Sequence, residues 1–213
     1  MEFRLLYEGE LLPSGGTNSR APEKHSIRRA FHPQLRRLWS MRPELRTLAE
    51  NAYISSLKGG QPPPEILSKD GGERFELGIN AIGEEWNRAG YDLVPLVTPQ
   101  MTARCHLDIL ILRPSDRQFI FKQGDLDGQL KTLFDALRIP SSLGEAGGIG
   151  PQDDETPLYC LLEDDRLISE VKVTSDELLL LPHEKQLRPN DSFVVIHVRL
   201  NHQFPRFWDN YFG

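Results

Sequence analysis

Gly124-Asp-Leu-Asp-Gly-Gln-Leu-Lys131-Thr-Leu-Phe-Asp135-Ala-Leu137 decides how this chain is read, and Glu163-Asp-Asp-Arg166 answers it further along. Leu126, Leu130, Leu133, Phe134 and Leu137 recur at helical spacing, which predicts an apolar stripe on a helix. Asp127, Lys131 and Asp135 fall four residues apart on another face. Asp125 stands at or just before the helix start, where a carboxylate caps free N–H groups. The later group separates an apolar run, Leu158-Tyr-Cys-Leu-Leu162, from the alternating segment Leu167-Ile-Ser-Glu-Val-Lys-Val173. Asp164 and Asp165 are therefore expected at a turn entering a strand, with diverging side chains.

Working outward, Phe3-Arg-Leu-Leu-Tyr7 reads as a first strand and Pro13-Ser-Gly-Gly-Thr-Asn18 as a polar loop. Residues 33–57 read as mostly helical with a break at Pro43, and Gly59-Gly-Gln-Pro-Pro-Pro64 as a linker. A short helix is expected over Phe75 to Trp86. Tyr91 to Val97, Cys105 to Leu112 and Gln118 to Phe121 read as strands forming a meander before the helix. Residues 141–156 have no apolar period and read as a flexible loop insertion, and Asp191 to Leu200 as a late strand. The order of elements argues for the α+β class: one domain over 1–213, with a single mixed or antiparallel sheet and helices packed on it.

Composition bounds the rest. The chain has 213 residues, 38% of them hydrophobic, enough for one substantial core. No stretch approaches the roughly 18 apolar residues that span a bilayer. Met-Glu-Phe-Arg at the start is unlike a signal peptide, so a cytoplasmic protein with no membrane association is expected. Cys105 and Cys160 lie in apolar runs and read as buried thiols rather than a disulfide. The net charge of −6 is uneven: Arg20 to Arg46 carries eight Lys or Arg against Glu23 and Glu44, a local +6 that leaves −12 for the remainder. Arg28, Arg29, Arg36 and Arg37 recur in pairs two helical turns apart and are the expected DNA-binding residues. The bland reading of the same segment is a solvated helix face.

Clustered carboxylates repel one another unless a cation compensates, and oxygen-only sites suit Mg²⁺ or Mn²⁺. Taken separately, Asp-x-Asp at a helix start is an ordinary cap, and Asp127 to Lys131 an ordinary surface pair. Taken together, Asp-Leu-Asp-x-x-x-Lys-x-x-x-Asp-Ala-Leu followed by Asp-Asp resembles the RusA-type Holliday junction resolvases, metal-dependent endonucleases that cut branched DNA. The resemblance covers roughly 103–200, with its specific part in 125–137 and 163–168. It implies Asp125, Asp127 and Asp165 as the metal-binding catalytic carboxylates, Lys131 as the catalytic lysine, Mg²⁺ (or Mn²⁺) as cofactor, and a homodimer acting in DNA recombination or repair. Asp135 and Leu137 match the pattern without a catalytic role.

Gly128 stands where the family typically has Asn, the 141–156 segment is enlarged, and the chain is longer than the compact resolvases. These departures motivate the alternative of a catalytically impaired relative that binds DNA or protein. His106 and Asp108 share a strand face and read more simply as structural. Zinc-type His/Cys clustering, serine-hydrolase patterns and a P-loop are absent; Gly147-Gly-Ile-Gly150 lacks the Gly-Lys-Ser/Thr that would follow. The aromatic tail Phe204 to Phe212 is expected to pack on the core or across a dimer interface.

Overall fold

The computed structural model describes residues 1–14, 20–57, 69–101, 103–114, 126–179 and 191–202. Strands β1 (Glu2–Glu10), β3 (Ala103–Pro114), β5 (Ile168–Leu178) and β6 (Asp191–His202) form one sheet in the order β1-β6-β3-β5. β3 and β5 run parallel and the other pairs antiparallel, so the sheet is mixed. Alternation fixes its faces: Leu5, Leu107, Ile109, Ile111, Val194, Ile196 and Val198 point inward, while Glu2, Arg4, His106, Asp108 and Arg199 lie on the opposite face. The α+β class holds. The expected single sheet and the meander do not. β2 (Leu93–Val97) leaves the main sheet to pair in parallel with β4 (Leu158–Leu162), and both are buried along their whole length. A strand buried on both faces carries no alternation that would name its partner. The expected strand over Gln118 to Phe121 and the linker from Gly59 lie outside the described residues, as does the aromatic tail.

Helix α1 (Ala21–Met41) begins a dozen residues before the expected helical region. Ile27, Phe31, Leu35 and Trp39, four apart, are buried against the sheet, each contributing roughly 2 kcal/mol of burial. Pro43 opens α2 (Pro43–Ser56), where its missing N–H costs nothing. α3 (Gly71–Glu85) crosses α2 so closely that a Cβ on Gly78 would meet the Ala49 carbonyl oxygen at 1.9 Å. Asp70 caps α3 by accepting from the Gly72 and Glu73 amides.

Helix α4 (Leu126–Leu137) packs on α1, β4 and the turn Asp165–Leu167. Its buried face holds most of the expected stripe, Leu133 and Leu137 fully and Leu130 and Phe134 partly, and extends beyond it to polar and small residues. Gly128, Gln129, Thr132, Leu133, Ala136 and Leu137 are buried, while Leu126 is 38% exposed. Polar members are buried because they have partners: the Gln129 amide donates to the Leu11 carbonyl and the Thr132 hydroxyl to that of Leu12.

Residues 141–156, expected as a flexible loop, are tied to the body at several points. Ala146 is buried in a second apolar cluster with Tyr91, Leu93, Ile139, Leu158 and Cys160. The Tyr91 hydroxyl donates to the Ile149 carbonyl (2.8 Å), Arg138 holds Glu145 through two 3.0 Å bonds, and Glu155 is buried beside Arg29. Cys105 and Cys160 are buried free thiols, and burial pushes both up to about 12. Among the described residues, no helix is long and apolar enough to cross a membrane.

Candidate functional site

The two motif segments meet because the end of α4 is stitched to the end of β4. The Ile139 amide donates to the Leu162 carbonyl (2.9 Å), and Arg138 bridges to Leu162 in parallel register. The chain leaving β4 then turns at Asp164 and Asp165 directly beside α4. Asp164 accepts from the Arg166 backbone and side chain, and those bonds hold its carboxyl near about 2. Asp165 moves the other way. Partial burial raises its carboxyl first, followed by the hydrogen bond and charge of Asp164, with Asp135 adding to the rise and Arg138 opposing it.

Asp127 and Lys131 are exposed and share one strip of α4 with Asp135. Asp135 accepts from the buried Lys24 ammonium at 2.8 Å and pairs with Arg138 at 3.4 Å, which gives this carboxylate a structural role joining α1 to α4. Asp165 therefore stands at the Asp135 end of the strip, and Asp127 lies eight residues back, roughly 12 Å along the axis at the helical rise. Asp125 lies outside the described residues. Among those described, no three His, Cys, Asp or Glu side chains group closely enough to hold a metal ion.

The basic segment divides sharply. Arg28, expected to contact DNA, is 2% exposed and donates to the carbonyls of Asp135 (2.8 Å) and Arg138 (3.0 Å). It is a tether between α1 and α4, unavailable to a phosphate. Arg29 is half-exposed but sits 2.5 Å from the buried carboxylate of Glu155 and bonds Gln152. Arg36 and Arg37 remain exposed. Lys24 and Arg46 are likewise bound into the fold, Arg46 stacking over the Phe75 ring at 5.2 Å.

An open cleft of about 420 Å³ lies between α1 and the Asp153–Glu155 turn, lined by Arg29, His32, Pro33, Arg36, Asp154 and Glu155 among others. Sequence reasoning missed it because it depends on Glu155 folding inward from a segment without apolar period. His32 is a structural member: its Nδ1 accepts the Tyr159 amide (3.0 Å), and burial lowers its pKa, so the ring is held neutral. His106 and Asp108 lie on the outer sheet face, the His106 Nδ1 3.2 Å from a Glu170 carboxylate oxygen and Asp108 ion-paired with Lys172.

No family model, curated protein or solved structure matches this chain.

Proposed function

We propose that this protein is a metal-dependent endodeoxyribonuclease that cuts branched DNA, with the RusA-like fold and chemistry its motifs imply. The observation that carries the reading is the meeting of two segments distant in sequence. The β4–α4 stitch sets the Asp164-Asp165 turn against the helix whose exposed strip bears Asp127 and Lys131. The donors are oxygen only, and Asp165 is destabilised as an anion by burial and by Asp164 and Asp135, conditions that a hard divalent cation relieves. By the resemblance the ligands of the ion are Asp125, Asp127 and Asp165; Asp127 and Asp165, at opposite ends of the strip, do not close on one ion as they stand, so a shared Mg²⁺ or Mn²⁺ would require the Asp164-Asp165 turn to shift along α4. When bound, the ion supplies charge neutralisation at the phosphate and lowers the pKa of a water.

Lys131 stands one turn from Asp127 and presents a fixed positive charge on the same strip, suited to the charge that develops on the phosphate oxygens. Arg36 and Arg37, the exposed pair of the basic segment, serve the DNA backbone away from the chemistry. The test is incubation of labelled four-way junction, flap, duplex and single-stranded DNA with Mg²⁺ or Mn²⁺. Metal-dependent cutting with preference for the junction is expected.

A second reading, a catalytically impaired RusA-like protein that binds DNA or protein, draws on one observation. Asp165 stands at the Asp135 end of the strip, roughly 12 Å from Asp127 at the helical rise, and among the described residues no three His, Cys, Asp or Glu side chains group around an ion. Binding without cutting on every substrate would favour it.

A further inference from the structure

We propose that Arg166 binds a backbone phosphate of the substrate at the motif turn, and that Asp164 is the positioning residue that aims it. The identity of that substrate as DNA rests on the nuclease reading. The turn Asp165–Leu167 packs on α4, and Asp164 caps it. Both oxygens of the Asp164 carboxylate are committed to Arg166. Oδ1 accepts from the Arg166 backbone amide at 2.9 Å and from Nε at 2.8 Å, and Oδ2 accepts from Nη2 at 3.0 Å. The backbone bond fixes the turn; the other two form a bidentate fork, which sets the plane of the guanidinium as well as its distance. The fork takes the Nε edge and leaves the Nη1 donors directed away from Asp164. The Arg166 side chain is 87% exposed.

An exposed ion pair ordinarily contributes little to stability, because water screens it and two flexible side chains must be ordered together. Here the carboxylate is already fixed as the cap of the turn, so the fork orders Arg166 against a rigid partner. The product is a planar set of donors facing solvent one residue from Asp165, the geometry that suits phosphate oxygens. Charge points the same way. Glu163, Asp164 and Asp165 are consecutive, and a phosphate approaching them meets three carboxylates. The fork offsets the middle one, and Arg88 stands 3.5 Å from Glu163. Asp165 is left as the carboxylate of the turn that calls for an ion, with Arg166 next to it to receive the phosphate. The fork closes within residues 164–166, so it travels with the turn if the turn moves along α4.

Fluorescence anisotropy of a labelled four-way junction, titrated with the whole chain in EDTA over a salt series, tests the contact apart from cleavage. Arg166→Ala is expected to weaken binding about tenfold and to lower the salt slope by about 0.9, the value of one phosphate contact. Its Tm should not move, because the side chain is exposed. Asp164→Asn separates aiming from charge. Asn caps a turn as Asp does, so the fold is kept while the charged fork is lost. If net charge alone governed binding, removing this anion would tighten it; aiming predicts that it weakens it. In the Arg166→Ala background the same substitution should weaken it no further. Unchanged affinity in Arg166→Ala, tighter binding by Asp164→Asn, a further weakening without Arg166, or a wild type that binds no junction would each overturn the proposal. A wild type that binds with the expected Arg166 dependence but cuts nothing would contradict the nuclease reading and leave this contact standing. Metal-dependent cutting with full affinity in Arg166→Ala would do the reverse.

Discussion

A Cβ built on Gly128 would stand 2.9 Å from the Cβ of Pro13, and the Gly128 carbonyl accepts the Ser14 amide at 2.9 Å. The chain leaving β1 thus lies directly on the first turn of α4, at the one position where the motif departs from its family. Asn at 128 would force a proline ring, which has no rotamer to escape through, away from the helix. Gly128→Asn should therefore lose roughly 1–3 kcal/mol to overpacking, exceeding the few tenths gained in helix propensity. Thermal unfolding should show Tm lower by a few to about 10 °C. A raised Tm would mean that the Pro13 contact does not constrain the helix.

The arginines of α1 should separate cleanly by experiment. Arg28→Ala strands the Asp135 and Arg138 carbonyls in a buried site and should cost roughly 3 kcal/mol or more. Arg36→Ala with Arg37→Ala should leave Tm nearly unchanged. If these two contact DNA, the double variant should weaken binding across all sequences and flatten the salt dependence by about 0.9 per lost phosphate contact. Loss of DNA binding from neither substitution would remove α1 from the interface.

That division marks what the sequence could and could not convey. Strands β1, β3 and β6 are legible because one face is buried and the other wet, which writes a period of two into the residues. Net charge carries no such geometry. Arg28 and Arg36 are eight residues apart, about 80° around a helix, enough to put one inside and the other in solvent. On α4 the apolar spacing marks Leu133 and Leu137 as core, but the polar part of the buried face is obscured for a related reason: Gln129 and Thr132 are buried to satisfy the Leu11 and Leu12 carbonyls, a long-range requirement invisible to hydrophobicity. The Asp-Asp turn was correctly expected beside a strand. Its neighbours Asp135 and Arg138 follow only from the β4–α4 stitch.

The tether at Glu145 makes acid stability testable. Burial opposes ionisation of this carboxyl, but the Arg138 hydrogen bonds and the Ser141 amide outweigh it and hold the group down at about 2. A depressed folded-state value stabilises the protein above the ordinary carboxylate range, and that contribution is lost as pH falls from about 4.5 towards 2. The contribution is on the order of 2–3 kcal/mol. Glu145→Gln should lower stability at pH 7 and show a shallower decline on acidification over that window. An unchanged acid limb in chemical denaturation would show that the Arg138 pair contributes little.

Lys131 should act on the reaction rather than on the fold, because it is exposed on the α4 strip. Lys131→Met should reduce cleavage by about 10²-fold, the scale of one lost electrostatic contact in a transition state, with Tm unchanged. A comparable loss of Tm would instead make it a structural residue.

The most direct test is the single-turnover rate of Mg²⁺-dependent four-way junction cleavage by wild type, Asp127→Asn and Asp165→Asn, each first shown to fold and to bind DNA. The nuclease reading predicts cutting by the wild type and its abolition in both variants, with binding retained. Full cleavage by either variant would contradict the site, and a wild type that binds the junction without cutting it would contradict the activity.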